Sequence, residues 1–172
     1  MQEIEVKILN INSEKVRKKL LELGAKKVFE GEVKASHFDF SDERIRNAGE
    51  DLRVRTVGNK VEFCFKGKNQ SEVFKSKEEI EVITDSFQKT TAILDRLGLK
   101  EQEKFAKRRE SYQLGKVKFE IDTYPELPTF LEIEAPTEDE VEKYVKALGY
   151  TLEQTTNLTA GELIKNAKNN TT

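Results

Sequence analysis

The chain has 172 residues, with 30 Lys and Arg against 32 Asp and Glu, a net charge of −2. That length supports a real core without disulfides or structural metal, and near-balanced charge argues against nucleic acid or an anionic membrane as main partner. A single cysteine, Cys64, excludes an internal disulfide and points to a reducing compartment. The expectation is a soluble, cytoplasmic protein, monomer or homodimer. One domain spans residues 1–165, and the polar residues 166–172 form a disordered tail. No apolar run approaches bilayer length, and residues 1–9 read as a strand rather than a signal peptide.

The first element is Glu3-Ile4-Glu5-Val6-Lys7, which alternates with period two and predicts a strand. A helix follows from about Ser13 to Leu23, with Val16, Leu20 and Leu23 on one stripe and Asn12 or Ser13 as its cap. The polar stretch from Asp42 to Asp51 predicts a surface loop, which would become a mobile flap if it lay beside a charged site. Leu52-Arg53-Val54-Arg55 and Val61-Glu62-Phe63-Cys64-Phe65-Lys66 read as two strands joined at Gly58-Asn59. Glu79-Ile80-Glu81-Val82 repeats the opening pattern, and a helix after Asp85 places Phe87, Leu94 and Leu97 on its inner face. Phe105–Tyr112 and Val117–Thr123 form a second hairpin, and Leu131–Ala135 carries the third copy, Glu132-Ile133-Glu134. The capping box Thr137-Glu138-Asp139-Glu140 starts a helix that buries Val141, Tyr144, Val145 and Leu148. A second box, Thr159-Ala160-Gly161-Glu162, starts a short last helix. Gly24, Gly98 and Gly149 each follow a Leu where a left-handed residue would end a helix. The count is about eight strands, mostly antiparallel, and three or four helices.

Residues i and i+2 of a strand share a face, so the pattern divides the sheet into two surfaces. One collects Ile4, Val6, Leu52, Val54, Val61, Phe63, Phe65, Ile80, Val82, Val117, Phe119, Ile121, Leu131 and Ile133. The other collects Glu3, Glu5, Lys7, Arg53, Arg55, Lys66, Glu79, Glu81, Glu120, Asp122, Glu132 and Glu134, with Lys107 and Arg109 as a further basic pair. Two architectures fit. One is an open sheet whose charged face is solvated and laced with ion pairs. The other is a closed barrel whose apolar face meets the helices and whose charged face lines a lumen. Same-sign pairs recur strand after strand and repel unless something sits between them, which favours the barrel. Its carboxylates would hold Mg²⁺ or Mn²⁺, and its Arg and Lys would grip a polyanion. A metal–phosphate complex needs both.

Glu3-Ile4-Glu5-Val6-Lys7 resembles the N-terminal signature of the CYTH family, the triphosphate tunnel metalloenzymes. Leu52-Arg53-Val54-Arg55, Phe65-Lys66-Gly67-Lys68, Lys107-Arg108-Arg109-Glu110-Ser111-Tyr112, Asp122 and Phe130-Leu131-Glu132-Ile133-Glu134 follow in family order. The resemblance runs from Met1 to about Gly149. It implies an α+β fold: an eight-stranded antiparallel β-barrel with a charged lumen and helices packed outside. It also implies a divalent metal and a triphosphate bound in that tunnel. Glu3, Glu5, Asp122, Glu132 and Glu134 would be metal-side carboxylates, joined as metal candidates by Glu79 and Glu81 of the acidic central strand. Lys7, Arg53, Arg55, Lys66, Lys107 and Arg109 would bind substrate, with Lys7 and Lys66 also catalytic. Many relatives carry Gln-x-Asp-x-Tyr-Phe-Asp before the Arg-x-Arg strand. Here that stretch is Val33-Lys34-Ala35-Ser36-His37-Phe38-Asp39, and no tyrosine precedes Tyr112. The implied activity is metal-dependent triphosphate hydrolysis. The alternatives are a class IV adenylyl cyclase making cyclic AMP and pyrophosphate, and a non-catalytic polyphosphate or nucleotide binder.

Overall fold

A computed structural model of the protein describes residues 2–71 and 73–169, the side chains of Gln2 and Glu3 lying outside that description. Among the described residues the elements run β1 (Gln2–Ile8), α1 (Ser13–Glu22), β2 (Lys26–Asp39), α2 (Arg44–Asn47), β3 (Asp51–Val57), β4 (Lys60–Lys66), β5 (Lys75–Thr84) and α3 (Phe87–Arg96). They continue with β6 (Lys100–Leu114), β7 (Val117–Thr123), β8 (Phe130–Ala135), α4 (Glu138–Ala147), a 3₁₀ turn (Leu152–Gln154), β9 (Thr155–Thr156) and α5 (Ala160–Asn169). The strand order is β5-β4-β3-β2-β6-β7-β8-β1-β9, and a further pairing of β5 with β1 closes the first eight on themselves. The class is α+β: a closed eight-stranded antiparallel barrel, with the two-residue β9 added beside β1.

The chain packs as two compact units. The first comprises residues 31–70 and 77–107, with Gln2; the second comprises residues 3–30, 71–76 and 108 onward. In the second unit, Ile4, Val6 and Ile8 of β1, Phe119 and Ile121 of β7, and Leu131 and Ile133 of β8 form the core with Val16 and Leu20 of α1 and Val141 and Val145 of α4. Each fully buried aliphatic side chain there contributes about 1.5–3 kcal/mol. Tyr144 is half-buried rather than fully buried, its ring set edge-on to Phe119. The first unit has a smaller core of Phe38, Val54, Leu94 and Leu99, with Leu52, Phe63 and Phe87 packed against it as α3 lies on β3.

The helix boundaries follow the local chemistry. Asn12, Ser86 and Thr137 each accept a hydrogen bond from a first-turn backbone N–H, and Thr159 and Glu162 cap each other reciprocally. Gly24, Gly98 and Gly149 sit at φ +87°, +91° and +84°, the left-handed conformation that ends a helix.

Four expectations are corrected. Leu97 is exposed, because α3 stops one residue earlier and Leu99 enters the core in its place. Ile80 and Val82 are more than half exposed, since α3 covers β3 and leaves the outer face of β5 uncovered. The Asp42–Asp51 stretch contains α2, pinned by the Asp39 carboxylate, which accepts from the N–H groups of Ile45 and Arg46 at 3.0 and 2.9 Å. Residues 166–169 continue α5 instead of fraying, and 170–172 lie outside the described residues.

The charged strand face does not lie on a solvated sheet. Glu5 is 4 % exposed, Lys7 2 % and Asp122 0 %. Residues of these types are almost never so buried unless paired, and pairing is what the site displays.

Candidate functional site

In the second unit the antiparallel register places Glu5 opposite Glu134 and Lys7 opposite Glu132. It also places Glu120 opposite Glu132, Lys118 opposite Glu134, and Arg109 opposite Asp122. Two glutamates facing each other across a strand pair repel, and lysines answer each. Lys75, at the start of β5, reaches Glu5 at 2.5 Å, and Lys118 reaches Glu134 at 2.7 Å. Lys7 lies between carboxylates, 2.9 Å from Glu5 and 3.0 Å from Glu132. Burial acts to lower its pKa, but the fields of Glu132 and Glu5 outweigh that, so the ammonium is held protonated.

Arg109 presents a two-pronged fork to Asp122 at 2.7 and 2.6 Å, pairs with Glu120, and approaches Glu132 at 3.7 Å. Burial opposes its charge, yet Glu120 and Asp122 raise its pKa well above the ordinary value. Tyr124 is buried beside this group, its phenol pushed upward first by burial and then by Asp122. Glu5, Lys7, Arg109, Asp122 and Glu132 therefore form one connected network, with Glu134 at its edge. Glu3 belongs to β1, but its side chain lies outside the described residues.

The first unit carries a second charged group. Across β2, β3, β4 and β5 the register aligns His37 with Arg53, Arg53 with Cys64, and Cys64 with Glu81. The next row aligns Asp51, Lys66 and Glu79. Lys66 pairs with Glu79; Arg55 pairs with Glu62 and lies 3.2 Å from Glu81. Arg53 is half-buried, and Lys107 is half-buried on the face of β6 that also carries Phe105.

Glu79, Glu81 and the thiol of Cys64 offer ligand atoms all within 4.8 Å of one another. Burial pushes the Cys64 thiol up to about 12, so without a metal it stays protonated and is no nucleophile at neutral pH. Burial also raises the Glu81 carboxyl, Arg55 opposes that, and Glu62 and Glu79 reinforce it. The two units thus differ in donor chemistry. The second offers only carboxylate oxygens, the donors a hard divalent cation takes. There, however, they are engaged by Lys and Arg, and among the described residues it is the Cys64, Glu79 and Glu81 group whose ligand atoms converge. The first mixes oxygens with a protonated thiol.

Sequence reasoning missed several participants. Lys75 sits at the head of β5, before its alternating pattern begins. Glu62 shares the parity of Cys64 and Lys66 and was detectable on that ground. On the opposite face of β6, Glu110 accepts from Arg17 at 2.7 Å and from Tyr112, and pairs with Lys27 at 3.0 Å. That network ties α1 and β2 to β6, and its partners are far apart in the chain.

The sequence matches the CYTH domain over residues 1–160. The chain belongs to the CYTH family. A Methanocaldococcus jannaschii protein named "Putative adenylate cyclase" is 32% identical over 146 residues, covering 83% of this chain and 82% of its own. The solved structure of the PH1012 protein from Pyrococcus horikoshii superposes with a TM-score of 0.80 at 27% identity, covering 94% of this chain and 98% of the other. A Hippeastrum structure, described as a putative adenylyl cyclase with a dominant triphosphatase activity, has a TM-score of 0.69 at 15% identity. It covers 96% of this chain and 95% of its own, and at that identity the likeness is one of fold. CYTH members are metal-dependent enzymes, and both charged groups lie in strands within the CYTH match. Among the described residues no helix is long and apolar enough to cross a membrane.

Proposed function

We propose that the protein is a divalent-metal-dependent enzyme that hydrolyses triphosphates, inorganic triphosphate or the triphosphate of a nucleotide or thiamine. The observation that carries this reading is the buried network of Glu5, Lys7, Arg109, Asp122 and Glu132, which holds fixed charges of both signs without bulk water. A site of that kind is organised before substrate arrives, so its dipoles need not reorient as charge moves in the transition state.

Glu5, Asp122, Glu132 and Glu134 would hold the metal, which when bound neutralises phosphate charge and polarises the phosphoryl oxygens. Glu3 is assigned to the same set by its place in the motif. Lys7 and Arg109 remain cationic and supply donors to phosphate oxygens. Because Lys7 is held protonated, it stabilises charge and does not act as a base. In the first unit Arg53, Arg55, Lys66 and Lys107 would supply further phosphate-binding cations, and Glu79 and Glu81, which pair with Lys66 and Arg55, would be further metal-side carboxylates. Nearly every group in both networks is ionisable, which suits recognition of the triphosphate rather than of a base.

The second reading is adenylyl cyclisation, favoured by the name of the Methanocaldococcus relative. Incubation with ATP and with inorganic triphosphate, with Mg²⁺ or Mn²⁺ and then with chelator, decides between them by chromatography. Phosphate released from either substrate, and only with metal, supports the hydrolase. Cyclic AMP and pyrophosphate from ATP, with no phosphate released from either substrate, replaces it with the cyclase. Tight binding without any product would leave a non-catalytic binder.

A further inference from the structure

The only histidine in the chain, His37, is bound to a carboxylate on the charged face of the first unit. Its Nδ1 lies 2.5 Å from Oδ1 of Asp51, and its ring sits edge-on to Phe105, centroids 5.3 Å apart. His37 stands opposite Arg53 in the β2–β3 register, and Asp51 stands opposite Lys66 in the β3–β4 register. The pair therefore lies in the rows that carry the phosphate-binding cations. Both side chains keep about a quarter of their surface open, 25% and 29%. They are held in place yet accessible.

The charged groups on the strands beside the ring are Asp51 and Arg53 on β3, Lys66 on β4 opposite Asp51, and, at the parity of Phe105 on β6, Glu103 and Lys107. Burial works to raise the Asp51 carboxyl, but the His37 hydrogen bond wins and holds it near 2. Asp51 is thus an anion at every pH where the enzyme would work. An anion at Nδ1 keeps the proton on that nitrogen and leaves the Nε2 lone pair of the neutral ring directed away from Asp51.

We propose that His37 is the proton acceptor for the attacking water in triphosphate hydrolysis, with Asp51 as its positioning residue; this rests on the hydrolase reading above. The water oxygen forms the new bond to phosphorus while its proton passes to Nε2. The P–O bond to the leaving group breaks, and its electron pair leaves with the pyrophosphate oxygen. The imidazolium then returns its proton to solvent.

The test uses the full-length protein with Mg²⁺ and inorganic triphosphate. His37→Gln keeps an amide donor toward Asp51 but has no basic nitrogen. It should lower kcat ~10²–10⁴-fold, leave KM within a few-fold, and abolish the acid limb of the pH–rate profile. His37→Ala should recover part of its kcat in added imidazole. Asp51→Asn should lower kcat less than His37→Gln does, with KM within a few-fold of wild type. Wild-type kcat with an intact acid limb in His37→Gln overturns the inference while leaving the hydrolase reading in place. Wild-type protein that turns over no triphosphate ends the hydrolase reading and this inference with it. Calorimetric binding of Mg²⁺–triphosphate to His37→Gln at wild-type affinity excludes misfolding as the cause of lost turnover; loss of that binding would instead make His37 structural and contradict the proposal.

Discussion

The two charged groups answer the same electrostatic problem at different depths. In the second unit Lys7, Arg109 and Asp122 are essentially inaccessible, and each cation is shared among two or three carboxylates. In the first unit Lys66 and Glu79 keep only 10% and 9% of their side-chain surface, but around them Arg55 keeps 18%, Glu81 31% and Asp51 29%. Burial converts an ion pair from a marginal contact into an obligation, because removing one partner strands the other in a poor solvent. The deep group is therefore rigid and costly to disturb. The shallower one tolerates change and keeps side chains accessible.

The largest effect is expected at Asp122. Asp122→Ala removes both acceptors of the Arg109 fork and should cost ~3–5 kcal/mol of stability, read as a lowered urea midpoint with unchanged slope. A loss below ~1 kcal/mol would mean that the deep network relaxes as freely as a surface pair.

Glu5→Gln and Glu81→Gln sharpen the contrast. The carboxylates of β1 and β8 repel in isolation, which taken alone would make neutralising Glu5 harmless or stabilising. The structure changes that expectation, because Glu5 holds both Lys7 and Lys75. Glu5→Gln should now destabilise by about 1–3 kcal/mol and lower metal-dependent turnover by ~10²-fold or more. Glu81, whose carboxyl burial already raises, should lose under about 1 kcal/mol on conversion to Gln. Equal losses at the two positions would erase the distinction between the groups.

A further effect is confined to a pH window. Arg17 holds the Glu110 carboxyl near 2, below its ordinary 4.5, and Asp51 is likewise held near 2, below 3.8. A depressed folded pKa gives stability that is fully present above the unfolded value and lost as pH falls through the folded one. Glu110→Gln should therefore be less stable than wild type by about 2 kcal/mol at pH 7, and the gap should close between about pH 4.5 and 2. A gap independent of pH would show that the Glu110 contribution is not electrostatic.

Much of this was legible in the sequence because strand parity is a strict rule. Glu5, Lys7, Asp122, Glu132 and Glu134 were placed on one face by counting alone, and the caps of α1, α4 and α5 were readable from their first turns, whereas Ser86 of α3 was not named. What escaped was non-local. Lys75 lies in a short polar stretch with no alternation of its own, and residues 71–76 pack with a unit whose other residues are far away in the chain. Glu110 sits on the opposite parity from Arg109, so its partners, 93 residues away in the case of Arg17, are set by tertiary packing. The pairing of His37 with Asp51 likewise depends on the β2–β3 register, which no single segment specifies.

The most direct test follows inorganic triphosphate by phosphorus NMR in the presence of wild-type protein and Mg²⁺, before and after chelator. The account predicts that the middle phosphorus signal disappears as pyrophosphate and orthophosphate rise together, and that chelator stops the reaction. A spectrum unchanged over many enzyme equivalents of time, or one that decays equally fast in chelator, would contradict it.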